Sequence, residues 1–101
     1  MSERRRFKRV TYFTEAEYGS YEVKYGGKIS DLSTGGAYID TISPLPEKSI
    51  INVKFKLPSG KELVLKAIVK NEMPGMGMGI EFINLNENDQ KELKDFIESG
   101  E

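Results

Sequence analysis

Apolar residues recur at every second position through much of this 101-residue chain, and this alternation limits the possible folds more than any other feature. It is clearest in two neighbouring series of four apolar residues each: Ile51, Val53, Phe55 and Leu57, then Leu63, Leu65, Ala67 and Val69. A period of two places all these side chains on one face of a β-strand. The Pro58-Ser59-Gly60 turn between the two series therefore predicts a β-hairpin with one buried face.

Shorter alternating segments lie at residues 10–18, 21–29, 37–42 and 76–82, which brings the number of predicted strands to six. The glycine pair Gly26-Gly27 predicts a bulge or bend in the second strand. Since no helices separate the strands, we expect an all-β fold, a six-stranded antiparallel meander closed as a barrel or split barrel. We expect one domain over residues 1–101, with the barrel at 10–83.

The end of the chain changes to a helical period, because Leu93, Phe96 and Ile97 are spaced by three and then one residue. Asn86 is a suitable N-cap, and Gly100 a suitable stop. We therefore predict a C-terminal α-helix over residues 86–99 that packs on the strands.

The residue types that are missing exclude several classes of function. The chain has no cysteine and no histidine, so it lacks thiolate and imidazole metal ligands, cysteine nucleophiles and the usual general base. We predict no catalytic residues, no metal and no cofactor, and hence no enzyme. No apolar run reaches the ~18 residues of a membrane-spanning helix, and no secretory segment is visible. These features predict a cytoplasmic protein that does not insert into a membrane.

The segment "ERRRFKR", residues 3–9, concentrates positive charge ahead of an acidic remainder. The first nine residues contain five basic groups and one acidic group, whereas the other residues contain ten basic and fifteen acidic groups. Such an arm is compatible with an anionic partner, including RNA or an anionic lipid, and equally with a solvated tail. We expect residues 1–9 to be flexible, since a short charged terminus has little apolar area to bury.

A second segment, "SDLSTGG" at residues 30–36, has the composition of an ordinary turn. If it is extended, however, Asp31 and Ser33 lie on the same face. A carboxylate accepts hydrogen bonds from the N1 and N2 donors of guanine, and arginine binds the O6/N7 edge and phosphate. Together, the two segments could supply complementary groups for a guanine nucleotide.

The order of these segments resembles the PilZ domain family, bacterial receptors for cyclic di-GMP, whose signature is RxxxR followed by D/N-x-S-x-x-G. The first motif corresponds to Arg5 through Arg9, the second to Asp31 through Gly36, and the strand "GMGMGIEF" is also similar to the family pattern. The family fold, a six-stranded antiparallel barrel with a C-terminal helix, agrees with the alternation.

The resemblance implies roles for six residues. Arg5 and Arg9 would bind the phosphates and guanine edges, Asp31 and Ser33 would hold the guanine or phosphate, and Gly36 would permit a close turn. Arg4, directly before the first motif, favours two ligand molecules per chain over one.

The function implied is a cyclic di-GMP receptor whose ordered arm presents a changed surface to a downstream protein effector, with no nucleic acid polymer as partner. The alternatives are a PilZ-type interaction adaptor that binds no ligand, a plain polyanion binder and, last, a hydrolase.

Overall fold

The computed structural model describes residues 8–20 and 22–99. These residues form six β-strands followed by one α-helix: β1 (Val10–Gly19), β2 (Lys24–Leu32), β3 (Gly36–Asp40), β4 (Ile50–Lys56), β5 (Glu62–Met73), β6 (Gly77–Phe82) and α1 (Glu87–Ser99). The six predicted strands and the C-terminal helix are therefore confirmed. The strand ends differ from the prediction by a few residues, most clearly in β5, which continues to Met73.

All strand pairs are antiparallel, and the sheet closes into a barrel in the order β1-β2-β3-β6-β5-β4. The predicted antiparallel barrel is confirmed, but the strands do not follow one another as a simple meander. The connection between β3 and β4 contains Pro44 and Pro46, which lack the N–H groups that a continuous hairpin ladder would use. It instead spans the end of the barrel, so that β3 pairs with β6 and β4 pairs with β1.

The barrel interior is filled by the alternating residues of the strands. In the β4–β5 hairpin the paired positions Val53 and Leu65, and likewise Phe55 and Leu63, are each no more than 2% exposed. Their neighbours Lys54 and Lys56 are exposed. The period of two thus separates a closed apolar interior from a charged outer wall.

The predicted bulge at Gly26-Gly27 is wrong, because both residues pair regularly with Glu17 and Ala16 on β1. Irregular pairing occurs elsewhere, between Thr11 and Thr14 on β1 and between Ile29 and Asp31 on β2. Gly27 has a different reason to be glycine: a Cβ there would lie 2.9 Å from Ile39 Cγ2 and 3.0 Å from the carbonyl oxygen of Asp40. It provides room for core packing.

Helix α1 begins at the predicted N-cap, since Asn86 Oδ1 accepts a hydrogen bond from the backbone N–H of Asp89 at 2.7 Å. Leu93 and Ile97 are buried in the core, and the ring of Phe96 packs edge-on against Tyr12 with centroids 5.0 Å apart. The helix is thereby held against the beginning of β1. Within residues 8–20 and 22–99, no helix has the length and apolar character needed to cross a membrane.

Candidate functional site

The two sequence motifs meet through one ion pair between Arg9 and Asp31. Arg9 directly precedes β1, and the β1–β2 register places Thr11 opposite Asp31. Arg9 Nη2 donates a hydrogen bond to Asp31 Oδ1 at 2.6 Å, across 22 positions of the sequence. The pairing of the first two strands therefore joins the last arginine of RxxxR to the first residue of D-x-S-x-x-G.

Both partners of this ion pair remain accessible to solvent. The side chains of Arg9 and Asp31 are 40% and 38% exposed. A guanidinium has five N–H donors and a carboxylate has two acceptor oxygens, and within residues 8–20 and 22–99 the hydrogen bond that the two groups share uses only one of each. The pair can bind further donors and acceptors on the outer wall of the barrel.

Ser33 has a different environment from Asp31, because it is 1% exposed. Its Oγ accepts hydrogen bonds from the N–H groups of Gly35 at 3.1 Å and Gly36 at 3.0 Å, and lies 3.3 Å from the Gly36 carbonyl oxygen. Its own N–H donates to that same carbonyl at 2.8 Å. Ser33 thus ties the β2–β3 turn together, and the structure does not present it beside Asp31 on one open face.

Gly36 begins β3 at a point where two strands approach closely. It pairs with Glu81, and a Cβ built on Gly36 would lie 2.1 Å from the carbonyl oxygen of Ile80. No side chain fits in that space. The motif glycine is therefore needed for the contact between β3 and β6, directly behind the turn that Ser33 organises.

Tyr38 is a neighbour of Asp31 that belongs to neither motif. The two residues are register partners on β2 and β3, and both are half-buried while their strand neighbours Leu32, Ala37 and Ile39 are buried. They therefore share the outer wall of the barrel. Only the cross-strand register, which depends on the irregularity between Ile29 and Asp31, brings them together.

Arg4 and the first three residues of the first motif lie outside the part of the chain that the structure describes. Arg4 and Arg5 belong to residues 1–7, so their expected roles stay predictions. The geometry thus joins Arg9 to Asp31 and Ser33 to Gly36.

Comparison with known proteins gives a consistent result. The family model of the PilZ domain matches residues 3–99. No curated protein matches the sequence. Among solved structures, the PilZ domain of YcgR from Escherichia coli, with c-di-GMP, has a TM-score of 0.79 at 16% identity, covering 96% of this chain and 91% of that chain.

Two further structures have the same fold. The PilZ domain of CeSA from a cellulose-synthesizing bacterium has a TM-score of 0.69 at 20% identity, covering 90% of this chain and 95% of that one. Bacillus subtilis MotI/DgrA, an inhibitor of motility, has a TM-score of 0.81 at 17% identity over 96% of this chain and 51% of its own. This chain therefore spans about half the length of MotI/DgrA. With the family model matching almost its whole length, the chain belongs to the PilZ domain family.

Proposed function

We propose that this protein is a receptor for cyclic di-GMP that works as an adaptor rather than as an enzyme. The observation that carries the proposal is the 2.6 Å contact between Arg9 and Asp31, which unites the two family motifs at one place on the barrel wall. The PilZ domain of YcgR and the protein MrkH of K. pneumonia, both with the barrel fold, were solved in complex with c-di-GMP. These structures support the choice of ligand.

The chemistry of the ion pair suits a guanine nucleotide. Asp31 accepts hydrogen bonds from the N1 and N2 donors of guanine, while Arg9 binds a phosphate or the O6/N7 edge. An exposed ion pair contributes only ~0–1 kcal/mol, whereas a good bidentate contact to a base contributes ~1–3 kcal/mol. The ligand can therefore take over part of the bonding of Arg9 and Asp31 at little cost.

The remaining site residues extend this arrangement. Arg5 provides a second phosphate-binding group from the arm, and Arg4 favours two ligand molecules over one. Gly36 and Ser33 shape the turn next to Asp31. Ser33 also contacts the ligand, provided that its hydroxyl gives up one of its hydrogen bonds within the turn.

Ligand binding orders the basic arm over Asp31, and the ordered arm is the surface that a protein effector recognises. A bound nucleotide can order a segment only by interacting more strongly with the ordered state. The arginines of the arm meet this condition, because the phosphates are their strongest partners. The alternative is a PilZ adaptor that binds its protein partner without any ligand.

Isothermal titration with cyclic di-GMP tests the proposal. The unmodified protein is expected to bind with micromolar or better affinity, and Arg5→Ala, Arg9→Ala and Asp31→Ala are each expected to abolish or greatly weaken binding. GMP and GTP serve as ligand controls. A stoichiometry near two ligands per chain would support the role of Arg4, and a stoichiometry of one would contradict it.

Two matched variants separate specific recognition from general charge. Lys8→Ala removes the same charge as Arg9→Ala from the adjacent exposed position, and Asp40→Ala removes an exposed carboxylate at the other end of β3. Both should bind nearly as well as the unmodified protein. No heat of binding with a folded protein would exclude the receptor function and favour the ligand-free adaptor. Equal losses in Arg9→Ala and Lys8→Ala would indicate a plain polyanion binder.

A further inference from the structure

We propose that the ring of Tyr38 is the stacking platform for the guanine base that Asp31 holds. This inference rests on the proposed cyclic di-GMP site and adds to it a residue that belongs to neither motif. Tyr38 is the direct cross-strand partner of Asp31, so their Cβ atoms are expected about 5 Å apart on the same face of the sheet. Asp31 thus has Tyr38 beside it on β3, while the Arg9 side chain reaches it from the start of β1.

The ring of Tyr38 lies along the sheet rather than away from it. Cβ atoms built on Gly77 would be 2.8 Å from Tyr38 Cε2 and 2.9 Å from its Oη, and one on Gly79 would be 4.0 Å from Cδ1. The Tyr38 hydroxyl also donates to Met73 Sδ at 3.4 Å. The ring therefore crosses β6 above two glycines, and its far end is held by β5.

This position gives an aromatic surface beside a hydrogen-bonding edge. A Cβ at Gly77 would displace the ring, whereas one at Gly79 would only touch it, so Gly77 is the glycine that lets the ring lie low on the wall. Tyr38 is only half-buried, and part of its ring is therefore open to solvent. A purine that lies on this open part can direct its donor edge at Asp31, the geometry that an aromatic platform with a neighbouring acceptor recognises.

Affinity measurements on three variants test the platform. Tyr38→Leu removes the aromatic ring but keeps an apolar side chain, and it is expected to weaken cyclic di-GMP binding roughly 5- to 150-fold. Tyr38→Phe restores the ring without the hydroxyl and is expected to recover most of the affinity. Val64→Leu is the control, an exposed apolar position on β5.

A direct readout is possible because the chain contains no tryptophan. In Tyr38→Trp, stacking of guanine on the single indole should cause a saturable fall in fluorescence with the same midpoint as the titration heat. Val64→Trp is the matched control: Val64 lies seven residues from Asn71, the β5 neighbour of Gly79, or about 23 Å along the strand. Its emission should not change.

The outcomes separate this inference from the proposed function. If the unmodified protein and Tyr38→Leu bind equally well while Arg9→Ala does not bind, the receptor function stands and the platform is refuted. If Tyr38→Leu does not fold, unchanged fluorescence of Tyr38→Trp during ligand binding refutes the platform instead. Absence of binding by the unmodified protein overturns both proposals.

Discussion

Replacing Gly36 with alanine should destabilise the barrel severely, although the change adds a single methyl group. The new Cβ would lie 2.1 Å from the carbonyl oxygen of Ile80, whereas ordinary contacts begin at 3.4 Å. The nearest atoms all belong to the β6 backbone, so no side chain can move aside. The two strands must separate by more than an ångström, which would strain the hydrogen bonds between β3 and β6.

Overpacking of this kind typically costs about 1–3 kcal/mol, and a clash with backbone belongs at the upper end of that range. For a domain of this size, 2–3 kcal/mol corresponds to a fall in Tm of roughly 10–20 °C. Thermal unfolding followed by circular dichroism measures it. The matched control is Gly26→Ala, since a Cβ there has no atom within 4 Å and restricts only the unfolded chain. Similar Tm values for the two variants, within about 3 °C, would refute the reasoning.

Three other changes should alter stability in predictable directions. Ser33→Ala leaves the N–H groups of Gly35 and Gly36 without their acceptor, and urea titrations should show a free energy of unfolding lower by about 1–3 kcal/mol. The control Ser59→Ala removes one exposed hydrogen bond and should change this free energy by less than about 0.5 kcal/mol. Asn86→Ala should cost about 1 kcal/mol through loss of the helix cap, and Asn86→Asp, which keeps an acceptor oxygen, should not; equal Tm values would contradict a capping role. Lys48→Gly should raise Tm by a few degrees, because Lys48 has a φ of 75° that costs a non-glycine residue about 1 kcal/mol, and a lower Tm would show that the Lys48 side chain contributes more than this strain.

The strands were predictable because burial on one face of a strand leaves a direct trace in the sequence. Val53, Phe55, Leu63 and Leu65 show this trace, and all four are buried. Asn86 was predictable for the same reason, since the capping interaction involves residues only three positions apart. Local patterns of this kind are sufficient to predict where strands and helices form, because they do not depend on distant parts of the chain.

Strand order and register were harder to predict from the sequence. The pairing of β3 with β6 depends on how the residues between β3 and β4 cross the barrel end, and the alternation pattern is the same for either neighbour. Gly27 shows a related difficulty, since a glycine that provides room for Ile39 cannot be distinguished in sequence from one that forms a bulge. Such features depend on contacts between distant segments.

In the candidate site, some features were predictable from local motifs and others depended on contacts between distant segments. The motifs indicated Arg9 and Asp31, and the structure brings these two residues into contact. Ser33 was expected on the same open face as Asp31, but chain direction changes after Leu32 and its hydroxyl is bonded inside the turn. Tyr38 had no motif to identify it and became a candidate only through its register with Asp31.

The closure of the barrel has a consequence for chain synthesis. Arg9, Asp31, Ser33, Gly36 and Tyr38 all lie between the start of β1 and the end of β3 or directly beside them, and this part of the chain leaves the ribosome before β4, β5 and β6. At that stage β1 lacks β4 and β3 lacks β6, so both outer strands present unpaired edges and the apolar face is uncovered. A chain released after β3 would therefore contain every described residue of the candidate site and still be prone to aggregation. The proposed ligand recognition therefore requires that β6 has been made and has closed the barrel.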